Sequence, residues 1–317
     1  MISLLLVLQL ASPPAITTEV IYRTVNDLCG VIQQEYFDEE RIPAIFAELK
    51  DARASGHFEA AKTPEEFARL LNQVMYSVSH DKHLNIQVLR PPTAPPPVGG
   101  PAPAERDRPT TAGFKRVEIL PGNIGLLELT MFLRPIEHRD AMADAMKTLA
   151  PADALVIDMR ANGGGSPGTI ALLMSYLFDQ PELPVFDIIP RHGATDTYKT
   201  EPASVALPRN GSRPIWVLTS SRSFSGGEGF AYLMQEQKRA VIVGERTAGA
   251  ANPGRPYPVN ELFEVTVPNG HIRSAIKHAN WEGDGVTPDI RVPAAAALDV
   301  AIERAKEELK KRGKPVG

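Results

Sequence analysis

Residues 91–113, PPTAPPPVGGPAPAERDRPTTAG, carry eight prolines and almost no large apolar side chain. Such a stretch cannot bury enough surface to hold one conformation and serves as a semi-extended linker or surface loop. Folding must then proceed on either side of it. This divides the 317 residues into a small N-terminal unit over 16–90 and a larger one over 114–317, in keeping with ordinary domain sizes.

The N-terminal side has helical periodicity. Ile21, Val25, Leu28 and Ile32 recur at steps of four, three and four, and IPAIFAELKDARA fits a second helix ending near Gly56. A third opens on Thr63 as cap, with Pro64 at the first helical position and Glu66 completing a T-x-x-E capping box. It then places Phe67, Leu70, Leu71, Val74, Met75 and Val78 on one face. HLNIQVL switches to alternation and reads as a strand leaving this three-helix bundle.

Beyond the linker, strand-like and helix-like segments alternate. GNIGLLEL, ALVIDMR, PIWVLTS and AVIVGE read as strands, and RDAMADAMKTL, GTIALLMSYLF and GGEGFAYLMQEQ as helices, the rhythm of a sheet with helices packed on it. ELFEVTVP and GHIRSAI are expected to form an antiparallel hairpin around Pro268-Asn269-Gly270, and AALDVAIERAKEELKKR a charged terminal helix.

Residues 1–15, MISLLLVLQLASPPA, have the apolar core length of a signal peptide, so an exported protein is expected. The run is too short to anchor in a bilayer, and no later segment approaches the ~18 uninterrupted apolar residues of a membrane span. The net charge of −4 comes with no basic block, which argues against a nucleic-acid partner. A single cysteine, Cys29, excludes an intramolecular disulfide and a zinc–cysteine site.

Two serines compete as nucleophiles. Ser225, in SRSFSGGEGFAY, lies between a strand and a helix and is followed by Gly226 and Gly227, so unobstructed backbone N–H groups at a helix start can face a developing oxyanion. An N-cap serine has the same spacing. Ser166, in GGSPG, matches the G-x-S-x-G elbow, but the next residue is Pro167, which has no N–H for the oxyanion. RANGGGSPG reads instead as a loop that lets backbone approach a ligand. His80 and His83 in SHDKHL lack the further ligands of a metal site, and Glu282 and Asp284 lie in a glycine-rich turn.

Four separated segments, SHDKHL, VIDMRANGGG, SRSFSGGEGFAY with AVIVGERTAGAANPG, and NWEGDGVTPDI, stand in the order seen in the tail-specific (C-terminal processing) serine peptidase superfamily. The chain most resembles its tricorn-core and interphotoreceptor-retinoid-binding-protein-like branch. The resemblance covers most of the chain and implies a crotonase-like (ClpP-like) α/β core preceded by a helical-bundle domain. It implies Ser225 as nucleophile, His83 as general base and Glu282 as the group orienting it, with an oxyanion hole from the N–H groups of Gly226 and Gly164. The implied activity is hydrolysis of unfolded or short peptides through an acyl-enzyme, with no metal or organic cofactor.

This chain also departs from relatives. Ala250 stands where the processing-peptidase branch has a catalytic lysine, Lys82 where tricorn-like members have a serine, and the linker is too short to hold a peptide-binding PDZ module. Two alternatives remain at this level: a protein that binds hydrophobic ligands on the same fold without proteolysis, and an esterase using Ser166.

Overall fold

The computed structural model describes residues 16–89, 113–180, 182–201 and 211–315. The expected signal segment, and the linker apart from Gly113, lie outside the described residues. The elements run α1 (Thr18–Glu35), α2 (Ile42–Ala54), α3 (Pro64–Ser79), β1 (Asn85–Val88), β2 (Phe114–Leu120), β3 (Ile124–Leu129), α4 (Pro135–Leu149), β4 (Ala154–Asp158), α5 (Pro167–Leu177) and β5 (Pro184–Pro190). They continue with β6 (Asp196–Lys199), β7 (Ile215–Thr219), α6 (Gly226–Glu236), β8 (Val241–Gly244), β9 (Gly254–Pro258), β10 (Phe263–Pro268), β11 (Gly270–Ser274), β12 (Ile290–Arg291) and α7 (Ala297–Lys311). The chain forms two units, one taking 254–268 together with the N-terminal residues and the other taking the rest.

In the first unit, α1 and α3 begin where cap chemistry places them. Thr17 and Thr63 sit in extended conformation and their hydroxyls accept from Val20 and Glu66 N–H. The capping box on α3 is displaced by one residue, since Glu66 accepts from Lys62 N–H at 2.7 Å. β1 pairs antiparallel with β10, which pairs with β9. Phe263, Val265 and Val267 alternate onto the helices, and Phe67 meets Phe58 and Phe263 edge-on at 5.5 and 5.7 Å. Each such aromatic pair adds about 0.5–1.5 kcal/mol beyond area burial. This apolar face explains why 254–268 belongs to the helical unit, against the expectation of one uninterrupted core over 114–317.

The expected hairpin at Pro268-Asn269-Gly270 does not form. β10 stays in the first unit, while β11 pairs with β5 in a three-stranded sheet of order β11-β5-β6. Asn269 N–H donates to Pro253 and its carbonyl accepts from Arg191, so the residue that looked like a turn ends one strand and starts another elsewhere.

The second unit is built on a six-stranded sheet of order β12-β8-β7-β4-β3-β2, parallel except for β2. Its strands alternate cleanly between two cores. Leu155, Ile157, Ile215, Val217 and Ile242 pack with α4, α5 and α6, while Ala154, Val156, Trp216, Leu218 and Val243 pack on Ala297, Ala301, Ala305 and Leu309 of α7. β4 and β7 are buried at every position, the pattern of parallel strands covered on both faces. The carboxyl ends of β4, β7 and β8 lie side by side, where open parallel sheets place their sites.

Candidate active site

The loop after β4 carries RANGGGSPG. Asp158, buried at its start, forms a bidentate pair with Arg160, whose Nη1 donates to Ala294 O. Asn162, fully buried, donates through Nδ2 to Leu129 O and accepts Gly164 N–H on Oδ1 at 2.8 Å. Gly164 and Gly165 have φ of 100° and 125°. Phe132 N–H donates to Gly164 O and Ser166 N–H donates to Phe132 O at 2.6 Å, forming a parallel bridge that turns the Gly165 N–H away from Phe132.

The loop after β7 carries the serines. Ser223 is fully buried and its Oγ donates to Met159 O, while Ser220 Oγ donates to Arg160 O, so both tie this loop to the one after β4. Phe224 N–H closes the junction on Asn162 O. Ser225 follows at the N-cap position of α6 with φ 50° and ψ −121°. Thr17 and Thr63 cap their helices from ordinary extended conformations, so capping does not require this one. A residue held there carries about 1–3 kcal/mol of strain, which a fold retains where function uses it. The sharp strand-to-helix turn resembles that of a nucleophile elbow.

Ser166 shows the reverse. Its backbone is relaxed at φ −65° and ψ 124°, its N–H is spent on Phe132 O, and Pro167 opens the helix. The G-x-S-x-G pattern therefore marks a helix start, and the esterase reading is set aside.

The two loops abut. A Cβ added to Gly164 would lie 2.7 Å from Ser225 Cβ and 2.8 Å from Gly226 N, and one added to Gly226 would lie 3.2 Å from Gly165 N. Gly226 is the first residue of α6, so its N–H has no partner within the helix. Among the described residues no acceptor takes the N–H of Gly226 or Gly165. Gly164, expected as an oxyanion donor, has its N–H committed to Asn162, and the nitrogen of Gly165 lies beside Gly226.

Glu282, half-buried in the turn before β12, accepts the N–H of Ala251 at 2.6 Å and of Asn252 at 3.0 Å on one oxygen, Oε2, which fixes the carboxylate plane. Ala250 is fully buried, its N–H donating to Glu228 and its O accepting from Trp281 Nε1. The lysine position of the other branch is thus filled by a core methyl.

His83 stands in the first unit, in the turn between α3 and β1. His80 ends α3 in the left-handed region, and the buried carboxylate of Asp81 accepts His83 N–H at 2.9 Å. This Asx turn fixes where the imidazole leaves the backbone. Lys82 is exposed. Burial pushes the His83 imidazole down from 6.5 to about 4.

Asp81 and Glu228 escaped the sequence reading. Both had a signal: Asp two residues before His is the Asx-turn spacing, and S-x-x-E from Ser225 to Glu228 repeats the capping-box pattern recognised at Thr63.

The model of peptidase family S41 matches residues 123–292, and that of the N-terminal domain of peptidase S41 in eukaryotic IRBP matches 16–117. The chain belongs to peptidase family S41. This bears out the resemblance to the tail-specific peptidases. Among curated S41 relatives, the carboxyl-terminal-processing peptidase 2, chloroplastic, of Arabidopsis thaliana is 27% identical over 184 residues, 56% of this chain and 33% of that protein. The tail-specific protease of Haemophilus influenzae is 27% identical over 156 residues, 45% and 21% of the respective chains. The S41 chain thus spans a third or less of the curated relatives it matches.

A lipoprotein from Streptococcus agalactiae has a similar structure, with a TM-score of 0.57 at 15% identity, covering 95% of this chain and 99% of its own. The photosystem II D1 C-terminal processing protease gives 0.52 at 14% identity, covering 92% and 97%. These likenesses establish the mixed α/β fold with its helical N-terminal region. Among the described residues no helix is long and apolar enough to cross a membrane.

Proposed function

We propose that this S41 chain is a serine peptidase that cleaves unfolded or short polypeptides through an acyl-enzyme on Ser225. The observation that carries the reading is the strained Ser225 backbone at the mouth of α6, with the Gly226 and Gly165 N–H groups beside it. In this mechanism Ser225 Oγ attacks the scissile carbonyl carbon as its proton passes to the imidazole of His83. The carbonyl oxygen becomes an oxyanion and accepts from Gly226 and Gly165, each such donor contributing roughly 3–4 kcal/mol at the transition state. Collapse breaks the C–N bond, and the imidazolium protonates the leaving amine. Water then attacks the acyl carbon, giving its proton to the same imidazole, and Ser225 leaves protonated. Glu282 orients the imidazole and stabilises its charged form.

The test is labelling with a fluorophosphonate and location of the adduct by mass spectrometry. An adduct on Ser225, lost in His83→Ala, is the expected result. No adduct, together with tight binding of an apolar ligand, overturns the reading in favour of a non-proteolytic binding protein.

The state of His83 gives a pH prediction. A neutral imidazole is needed to accept the serine proton, and with the free-protein value lowered to about 4 the neutral form is lost only as pH falls through that region. The acid limb of kcat/KM, measured on fluorescein-labelled unfolded casein, is expected to bend near pH 4. A bend at about 6.5, the ordinary histidine value, would count against a buried neutral base.

A further inference from the structure

Four consecutive backbone N–H groups in the loop after β8 serve two carboxylates. Gly249 and Ala250 donate to Glu228 at 2.5 and 3.0 Å, and Ala251 and Asn252 donate to Glu282 Oε2. Glu228 also accepts Ser225 N–H at 2.8 Å and the Thr247 hydroxyl at 2.6 Å. Its Oε1 thereby takes Thr247 and Gly249, its Oε2 takes Ser225 and Ala250, and the side chain is completely buried.

Capping does not account for this arrangement. Glu66, at the same position of α3, is exposed and accepts one backbone N–H. Removing a carboxylate from water costs several kcal/mol, recovered only by strong geometry. The four donors supply that geometry, and they come from the elbow and from the loop that holds Glu282.

Resting on the peptidase reading above, we propose that Glu228 is a positioning residue: through the backbone run Gly249–Asn252 it locks the strained Ser225 backbone at a fixed spacing from Glu282. Taking the Ser225 N–H serves the chemistry in two ways. It holds the peptide unit that defines the elbow, and it removes that donor from the oxyanion site, leaving Gly226 and Gly165 to act there.

The experiment compares the full chain with Glu228→Gln, Thr247→Val and Thr247→Ser. It measures fluorophosphonate labelling as a saturating rate and a half-saturating concentration, and amide exchange over 249–252. A glutamine at 228 would turn an NH2 toward two N–H or O–H donors in either orientation, so its saturating rate is expected to fall by ~100-fold or more. Should that variant fail to fold, Thr247 decides. Valine removes one donor to Glu228, and with it the oxygen that accepts Val286 N–H, and should lower the saturating rate by ~10-fold or more, with half-saturation within about threefold and exchange accelerated. Serine, which keeps the hydroxyl, should restore both.

Equal damage from valine and serine, or a lowered thermal midpoint with an unchanged saturating rate, overturns the positioning role. An unlabelled wild-type protein would overturn the peptidase reading alone. Exchange over 249–252 in Glu228→Gln, read beside Thr247→Val and Thr247→Ser, would then still decide whether Glu228 governs the loop: faster exchange in glutamine and valine with serine unchanged upholds it, and unchanged exchange in glutamine refutes it.

Discussion

Replacing Ser225 by glycine is expected to abolish hydrolysis of unfolded casein, with kcat reduced by about 10⁴–10⁶-fold, while the protein becomes more stable. The loss follows from removing the attacking oxygen, after which only binding and oxyanion donors remain. The gain follows from the backbone. φ 50° and ψ −121° match the first central position of a type II′ turn, which glycine occupies without penalty and serine does not. Relief of about 1 kcal/mol, or roughly 2–4 °C in thermal midpoint for a unit of this size, is expected by differential scanning fluorimetry. Ser225→Ala should lose the same activity without the gain, because alanine retains the Cβ. Ser166→Ala should keep kcat within about threefold, as its backbone is relaxed and its N–H is already bonded. A glycine variant that is inactive and destabilised would mean that the serine side chain holds the elbow together, and that its conformation is not a store of strain.

The contrast between these two serines separates what is local in the sequence from what the fold imposes. The order of four motifs favours Ser225 over Ser166, and Pro167, which has no N–H, by itself excludes an oxyanion donor at the second site. The S-x-x-E spacing hints at the bond from Ser225 N–H to Glu228, but the left-handed backbone of Ser225 is not legible locally, because the loop after β4, through Asn162 and Gly164, packs against it from far along the chain. The same limit explains the missed strands. β9, GRPYP, has prolines at two of five positions and reads as a loop, yet it serves as the outer strand of β1-β10-β9, where a missing N–H costs no ladder bond. The alternation in β10 and β11 was visible, and only their partners were not: alternation tells which face is apolar, and leaves open which sheet receives it. Helices were easier. Caps and periodicity are local, and α2 runs over the segment expected of it.

The glycine-rich loop supplies a second large effect, because its three glycines differ sharply in what surrounds them. A Cβ at Gly163 meets nothing within 4 Å, and its φ is ordinary. Gly163→Ala is therefore expected to change stability by no more than about 0.5 kcal/mol and leave turnover intact. Gly165 has φ 125°, and a Cβ there would overlap the carbonyl oxygen of Phe132. Alanine cannot be absorbed by a side-chain rotation, since the obstacle is backbone held in a bridge by Ser166 N–H and Gly164 O. The loop must move, and the N–H beside Ser225 moves with it. Loss of one oxyanion donor lowers kcat by roughly 10²–10³-fold, and the broken bridge with left-handed strain should cost about 2–4 kcal/mol. Urea denaturation and turnover on unfolded casein measure the two separately. The decisive comparison is the labelling rate of Ser225 in Gly165→Ala below its denaturation midpoint. A folded variant that labels at the wild-type rate would show that the nucleophile does not depend on this N–H, and would remove Gly165 from the oxyanion site. A folded variant that labels slowly would place the second donor in the ANGGG loop, one residue beyond the glycine that sequence resemblance selects.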